Sequence, residues 1–149
     1  MYESRFMEAA YDQALIALRN DEVPVGAVVV LAGKIIGKGH NQVIRSCSVA
    51  MHAEVVAINA ASRFISNYRL VGADIYITLE PCHMCAKAII DARIANIFFS
   101  TVEPKTGCIV SIDNFLDKDF LNHQVNYAHG FLQNKCSELL VNFFKDKRA

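Results

Sequence analysis

The sequence predicts an α/β protein, a three-layer α/β/α sandwich on a five-stranded mixed sheet. Three observations carry that expectation. Strand-length apolar runs alternate along the chain with segments of helical period, which implies a sheet covered on both faces. The first two strand candidates are separated only by Ala32 and Gly33, so they pair as an antiparallel hairpin and make the sheet mixed. The chain has 149 residues, 53% of them apolar, which suits one domain, residues 1–149, with a buried core.

The elements follow in order. Residues 3–19 read as a helix, with Phe6, Ala10, Ala14, Ala17 and Leu18 on one face and Arg5, Glu8, Asp12 and Arg19 mostly off it. Residues 24–31 form a continuous valine-rich run, the mark of a buried strand. The turn at Ala32-Gly33 leads to a second strand over 34–38. A polar, irregular stretch over 40–49 precedes an alanine-rich helix over 50–64. Residues 74–79 alternate as a strand. Pro81 suits the first turn of a helix over 82–92, where a missing N–H costs nothing. A fourth strand spans 94–100, and a loop with Pro104 and Gly107 covers 101–108. A weaker helical piece over 111–116, a short strand over 124–127 and a final helix over 131–146 complete the chain.

Composition bounds the function. Lys plus Arg and Asp plus Glu number 15 each, so no basic surplus points to nucleic acid. Only the segment from Lys145 to Arg148 is locally basic. No apolar run is long enough to span a bilayer, and the start lacks a signal-peptide pattern, so a cytoplasmic protein without membrane contact is expected. Five cysteines in a reducing compartment argue against a disulfide framework and favour metal or catalytic use for the closely spaced pair.

That pair is Cys82 and Cys85. Three residues apart on a helix, their side chains share a face, and at a helix N-terminus the dipole favours thiolate, the form that binds zinc. Alone the pair also fits a redox dithiol, half of a four-cysteine site or two buried cysteines. The sequence holds no second CxxC, which disfavours a four-cysteine site, and His52 is the candidate third ligand. Three protein ligands leave one position for water, the mark of catalytic rather than structural zinc. Zinc lowers the pKa of a water it holds to about 7, and Glu54 can then serve as its proton shuttle. A zinc-stabilised, non-catalytic domain is the reading from another class. His40, His83, His123 and His129 are left as structural or exposed.

His52-Ala53-Glu54 followed by Pro81-Cys82-His83-Met84-Cys85 is the H-x-E…P-C-x-x-C signature of zinc nucleoside and nucleobase deaminases. The resemblance goes further. The segments EVPVGAV from Glu22, GHN ending at Asn41, NYRL from Asn67, TLEPCHMC from Thr78, KTG from Lys105 and NHQV from Asn122 resemble bacterial tRNA-specific adenosine deaminases. The stretch from Phe143 to Arg148 is similar to their last helix, so the likeness covers nearly the whole chain.

The resemblance implies a cytidine deaminase-like fold, one zinc per subunit and conversion of adenosine to inosine at the wobble position of a tRNA anticodon loop. The partner it implies is a tRNA anticodon stem–loop, and the state a homodimer. It assigns Asn41 to the target base, Glu22, Glu103 and Lys105 to the anticodon-loop groove, and Phe143 or Phe144 to shaping that groove. Glu103 stands where the family often carries aspartate, one methylene shorter. Within the superfamily, a free nucleobase or nucleotide deaminase acting on guanine, cytosine or deoxycytidylate is the alternative.

Overall fold

The computed structural model describes residues 1–148, so the last residue of the expected domain, Ala149, lies outside the described residues. The helices are α1 (Ser4–Arg19), α2 (Ala53–Ile65), α3 (His83–Asp91) and α4 (Gln133–Arg148). The strands are β1 (Gly26–Leu31), β2 (Lys34–His40), β3 (Asp74–Leu79), β4 (Asn96–Thr101) and β5 (Asn126–His129). They form one sheet in the order β2-β1-β3-β4-β5. β1 runs antiparallel to both its neighbours, while β3, β4 and β5 are parallel. This is the expected mixed five-stranded sheet.

Period-two alternation assigns side chains to the two faces of the sheet. Val28, Val30, Tyr76 and Phe98 pack with Phe6, Met7 and Ala10 of α1. Ala27, Val29, Ile75, Ile77, Ile97 and Phe99 pack with the apolar faces of α2 and α3. α4 is tied to α1 and to the turn after it, with Lys135 paired to Glu8 at 3.3 Å and Lys147 to Asp21 at 2.7 Å. Helices therefore cover both faces, as the three-layer expectation requires.

Glycines let α2 approach the hairpin. A Cβ on Gly37 would collide with the backbone of Ala57 and Ala61, and one on Gly39 with the backbone of Ala53 and Ala57. The hairpin turn is as short as expected: Leu31 pairs with Lys34, and both Ala32 (φ 51°) and Gly33 (φ 75°) are left-handed. Val29 pairs with Gly37 but Val30 with Ile35, so Ile36 is an extra residue that bulges β2.

Several boundaries differ from expectation. α2 begins at Ala53 rather than residue 50, because the backbone at His52 is extended (φ −74°, ψ 156°). α3 begins at His83, with Cys82 as its extended N-cap (φ −81°, ψ 175°). Pro81 thus precedes the cap instead of lying in the first turn, and its carbonyl accepts a hydrogen bond from Cys108 N–H at 3.0 Å. The helical piece over 111–116 is only a single 3-10 turn, Phe115–Asp117. The last strand starts two residues late because Val125 is buried in the core before the pairing with β4 begins at Asn126.

Candidate active site

The site forms where several strand ends meet. β3 runs directly into Leu79-Glu80-Pro81-Cys82, β2 ends at His40 beside Asn41, and Gly26, at the start of β1, pairs with His40. These ends share one edge of the sheet, where helix N-termini also gather and α/β proteins place their clefts.

Two N-cap residues make the core of the site. His52 caps α2 and Cys82 caps α3, and neither side chain hydrogen-bonds to its own helix start. They face each other instead. His52 Nδ1 lies 3.7 Å from Cys82 Sγ and 3.5 Å from Cys85 Sγ, and the three donor atoms lie within 4.8 Å of one another. Tetrahedral zinc bonds of about 2.0–2.3 Å separate neighbouring donors by about 3.5–3.8 Å. The nitrogen–sulfur spacings fall in that range, so the donor set fits zinc in both chemistry and size.

The electrostatics also call for a cation. The Cys82 thiol is pulled down to about 3, first by a hydrogen bond from Cys85, against burial, and further by His52. Cys85 is pushed well above the ordinary thiol range by the same hydrogen bond to Cys82 and then by burial. The shared proton of that hydrogen bond thus favours thiolate at Cys82 over Cys85. His52 is raised, first through its hydrogen bond to Cys82. A dication replaces that shared proton and frees both thiolates for coordination.

Glu54 sits in the first turn of α2 and is 4% exposed. Burial pushes its carboxyl up to about 7; its own backbone N–H opposes the rise and the Cys82 charge adds to it. A metal cation at the neighbouring donors acts against the rise and favours the proton-accepting carboxylate.

A cleft of about 620 Å³ opens over these groups. Val25, Val43, Ile44, Leu79, Phe143 and Phe144 give it apolar walls, and Asn41, Glu22, His52, Glu54 and Cys82 contribute polar lining. Asn41 Oδ1 accepts a hydrogen bond from Ala53 N–H at 2.8 Å, which ties the start of α2 to the end of β2. Glu22 is buried, and its two oxygens accept from the N–H groups of Ile44 (3.1 Å) and Arg45 (2.8 Å). Its carboxylate is thus engaged in holding the 41–52 loop, a role that the expectation of a groove contact did not include.

Phe143 is buried and Phe144 is partly exposed at the rim. Glu103 and Lys105 line a neighbouring groove of about 630 Å³ rather than the cleft itself; Leu79, Phe144 and Lys147 border both. Sequence reasoning passed over three residues here. Thr106 and Lys147 line the cleft, and the buried Glu80 lies within its wall. Burial raises the Glu80 carboxyl, but hydrogen bonds from Ser111, Val110 and Glu103 outweigh it and hold the group below its ordinary value. The available signals for Glu80 are its place just after β3 and within the TLEPCHMC segment.

Comparison with known proteins places these features in a family. The model of the cytidine and deoxycytidylate deaminase zinc-binding region matches residues 1–101. The tRNA-specific adenosine deaminase of Aquifex aeolicus (strain VF5) is 41% identical over 148 residues, covering 99% of this chain and 97% of that protein. A structure solved in studies of A-to-I editing by tRNA:A34 deaminases at the wobble position of transfer RNA is similar with a TM-score of 0.90. It is 38% identical, over 93% of this chain and 100% of that one. The structure of guanine deaminase from Bacillus subtilis is less similar, with a TM-score of 0.66 at 28% identity over 99% of this chain and 94% of that one.

Proposed function

Since this chain belongs to the family of zinc-binding cytidine and deoxycytidylate deaminases, we propose that it is the member that hydrolyses adenosine to inosine at the wobble position of a tRNA anticodon. The observation that carries the chemistry is the buried Glu54 beside the His52, Cys82 and Cys85 donors on the floor of an apolar cleft. The choice of tRNA is supported by 41% identity, end to end, with a tRNA-specific adenosine deaminase.

In this reading His52, Cys82 and Cys85 hold the zinc. Zinc supplies the Lewis acidity that brings the pKa of water to about 7. Glu54 takes the proton from the attacking water and delivers it to N1 of adenine while hydroxide adds at C6. Glu54 then carries the proton of the new C6 hydroxyl to the exocyclic amine, the C6–N bond breaks as the C6 carbonyl forms, and ammonia leaves, so adenosine plus water becomes inosine plus ammonia. The anticodon loop supplies an unpaired adenine that swings out of the stack at low cost.

The walls bind and orient that base. Asn41 has spent its Oδ1 on Ala53, which leaves its amide N–H groups for the base. Apolar Val25, Ile44 and Leu79 exclude bulk water from its faces. Phe143 and Phe144 shape the rim, Glu22 holds the loop that carries Ile44, and Glu103 and Lys105 meet the flanking nucleotides. The neighbouring groove that they line supports this last assignment.

A homodimer belongs to the same reading. Val49, Met84 and Ile112 are exposed beside the segments that carry the ligands and the 103–111 loop, apolar surface that a second copy would cover. A cytoplasmic location also belongs to it; among the described residues no helix is long and apolar enough to cross a membrane.

The test is incubation of the purified protein with an anticodon stem–loop carrying adenosine at the wobble position, with inosine read by mass spectrometry. Inosine at that position alone is the expected result. Turnover of free guanine or cytosine with the stem–loop untouched would sink the tRNA reading and leave a free-base deaminase.

A further inference from the structure

Glu80 takes no part in the donor set or the proton transfer, yet it is 2% exposed. Its Oε1 accepts hydrogen bonds from the backbone N–H of Glu103 at 3.0 Å and from the Ser111 hydroxyl. Its Oε2 accepts from the N–H groups of Ile109 (2.9 Å), Val110 (2.8 Å) and Ser111 (3.0 Å). One carboxylate, two positions before Cys82, thus collects donors from both ends of the 103–111 loop.

The loop is fitted to that side chain. A Cβ on Gly107 would strike the Glu80 carboxylate and the Glu103 carbonyl. Gly107 N–H closes the turn onto Glu103 O at 2.8 Å, and Cys108 N–H bonds Pro81 O at 3.0 Å. Five donors converge on the two Glu80 oxygens, and four of them are backbone N–H groups of the loop itself. The loop it holds carries Thr106 into the cleft beside His52 and Glu54, and Glu103 and Lys105 into the adjoining groove.

We propose that Glu80 is a positioning residue that clamps the 103–111 loop as one wall of the RNA site, and so sets substrate affinity rather than the rate of proton transfer. The inference rests on the tRNA reading for its kinetic part, and on the hydrogen bonds alone for its structural part.

The test uses the full-length, zinc-loaded protein and Glu80→Gln. The substitution keeps the size but turns an NH2 group towards the loop N–H groups. Losing charge-assisted hydrogen bonds of this kind predicts a KM for the anticodon stem–loop raised about 10- to 100-fold. The kcat should stay within about threefold, with zinc content unchanged. Amide exchange at Glu103, Ile109, Val110 and Ser111 should quicken at least about tenfold by the same reasoning, while β1 and α2 amides keep wild-type protection.

If Glu80→Gln does not fold, Ser111→Ala removes one donor, and a rise in KM of about two- to fivefold with unchanged kcat is expected. A fall in kcat at unchanged KM, or wild-type protection of the loop amides, would overturn the proposal. Wild-type protein that leaves the stem–loop unreacted overturns the tRNA reading instead, and the exchange measurement still decides whether Glu80 clamps the loop.

Discussion

At the scale of single residues, the site separates side chains that hold, side chains that react and side chains that support. In the proposed reaction Glu54 is the reacting one: it is buried beside the donor set but is no part of it. Glu54→Ala should therefore retain zinc and fold, with turnover lowered about 10²- to 10⁴-fold. Metal analysis and single-turnover kinetics check both halves of that statement. Beside the donor cluster, at the start of α3, Asp113 accepts from His83 at 2.8 Å and pairs with Lys118 at 3.2 Å. Its carboxyl is held down to about 2, first by the His83 hydrogen bond. A depressed carboxyl contributes stability above its ordinary value of 3.8 and loses it as pH falls through about 2. Asp113→Asn should thus be less stable than wild type near pH 6, and the gap should narrow towards pH 2 in urea titrations at a series of pH values.

At the scale of elements, the donors converge because of where helices begin and how closely they sit on the sheet. His52 and Cys82 are N-caps, so the start of each helix is part of the site. Gly39 lets α2 settle directly on β2. Gly39→Ala should cost about 1–3 kcal/mol through overpacking against backbone that cannot yield cheaply. It should also weaken zinc binding, since Ala53 adjoins His52; denaturant unfolding and metal titration read the two effects. The hairpin offers the opposite case. Ala32 holds φ 51° in a two-residue turn that favours asparagine. Ala32→Asn should stabilise by about 0.5–1 kcal/mol, or roughly 1–4 °C in Tm, without changing activity. Much of this scale is legible in the sequence. Val28, Val29 and Val30 mark a strand by their own apolar run, and Ala32-Gly33 marks a turn. The starts of α2 and α3 were less legible, because His52 and Cys82 are not among the side chains that favour N-caps and make no side-chain hydrogen bond to their own helix starts.

At the scale of the whole molecule, β3 and α3, the β1–β2 hairpin and α2, and the loops around them are joined at one donor cluster. His52 and Cys85 stand 33 positions apart and meet at 3.5 Å. Metal removal should therefore reach beyond activity. Chelation should abolish deamination and lower Tm, and stoichiometric zinc should restore both, since a ligand that binds only the folded state stabilises it by mass action. Calorimetry before and after chelation tests the coupling; an unchanged Tm would mean that the helix starts are held without the metal. The sequence by itself determined the layer order, the hairpin and the four residues that point to zinc chemistry, because hydrophobic period, turn residues and metal-ligand types are all carried by side chains. Only the tertiary structure decided that Glu22 spends its carboxylate on Ile44 and Arg45, and that Glu80 clamps the 103–111 loop. The donors in both cases are backbone N–H groups more than 20 positions away. Every residue but proline carries such a group, so no pattern of residue types can show which of them a buried acid will meet.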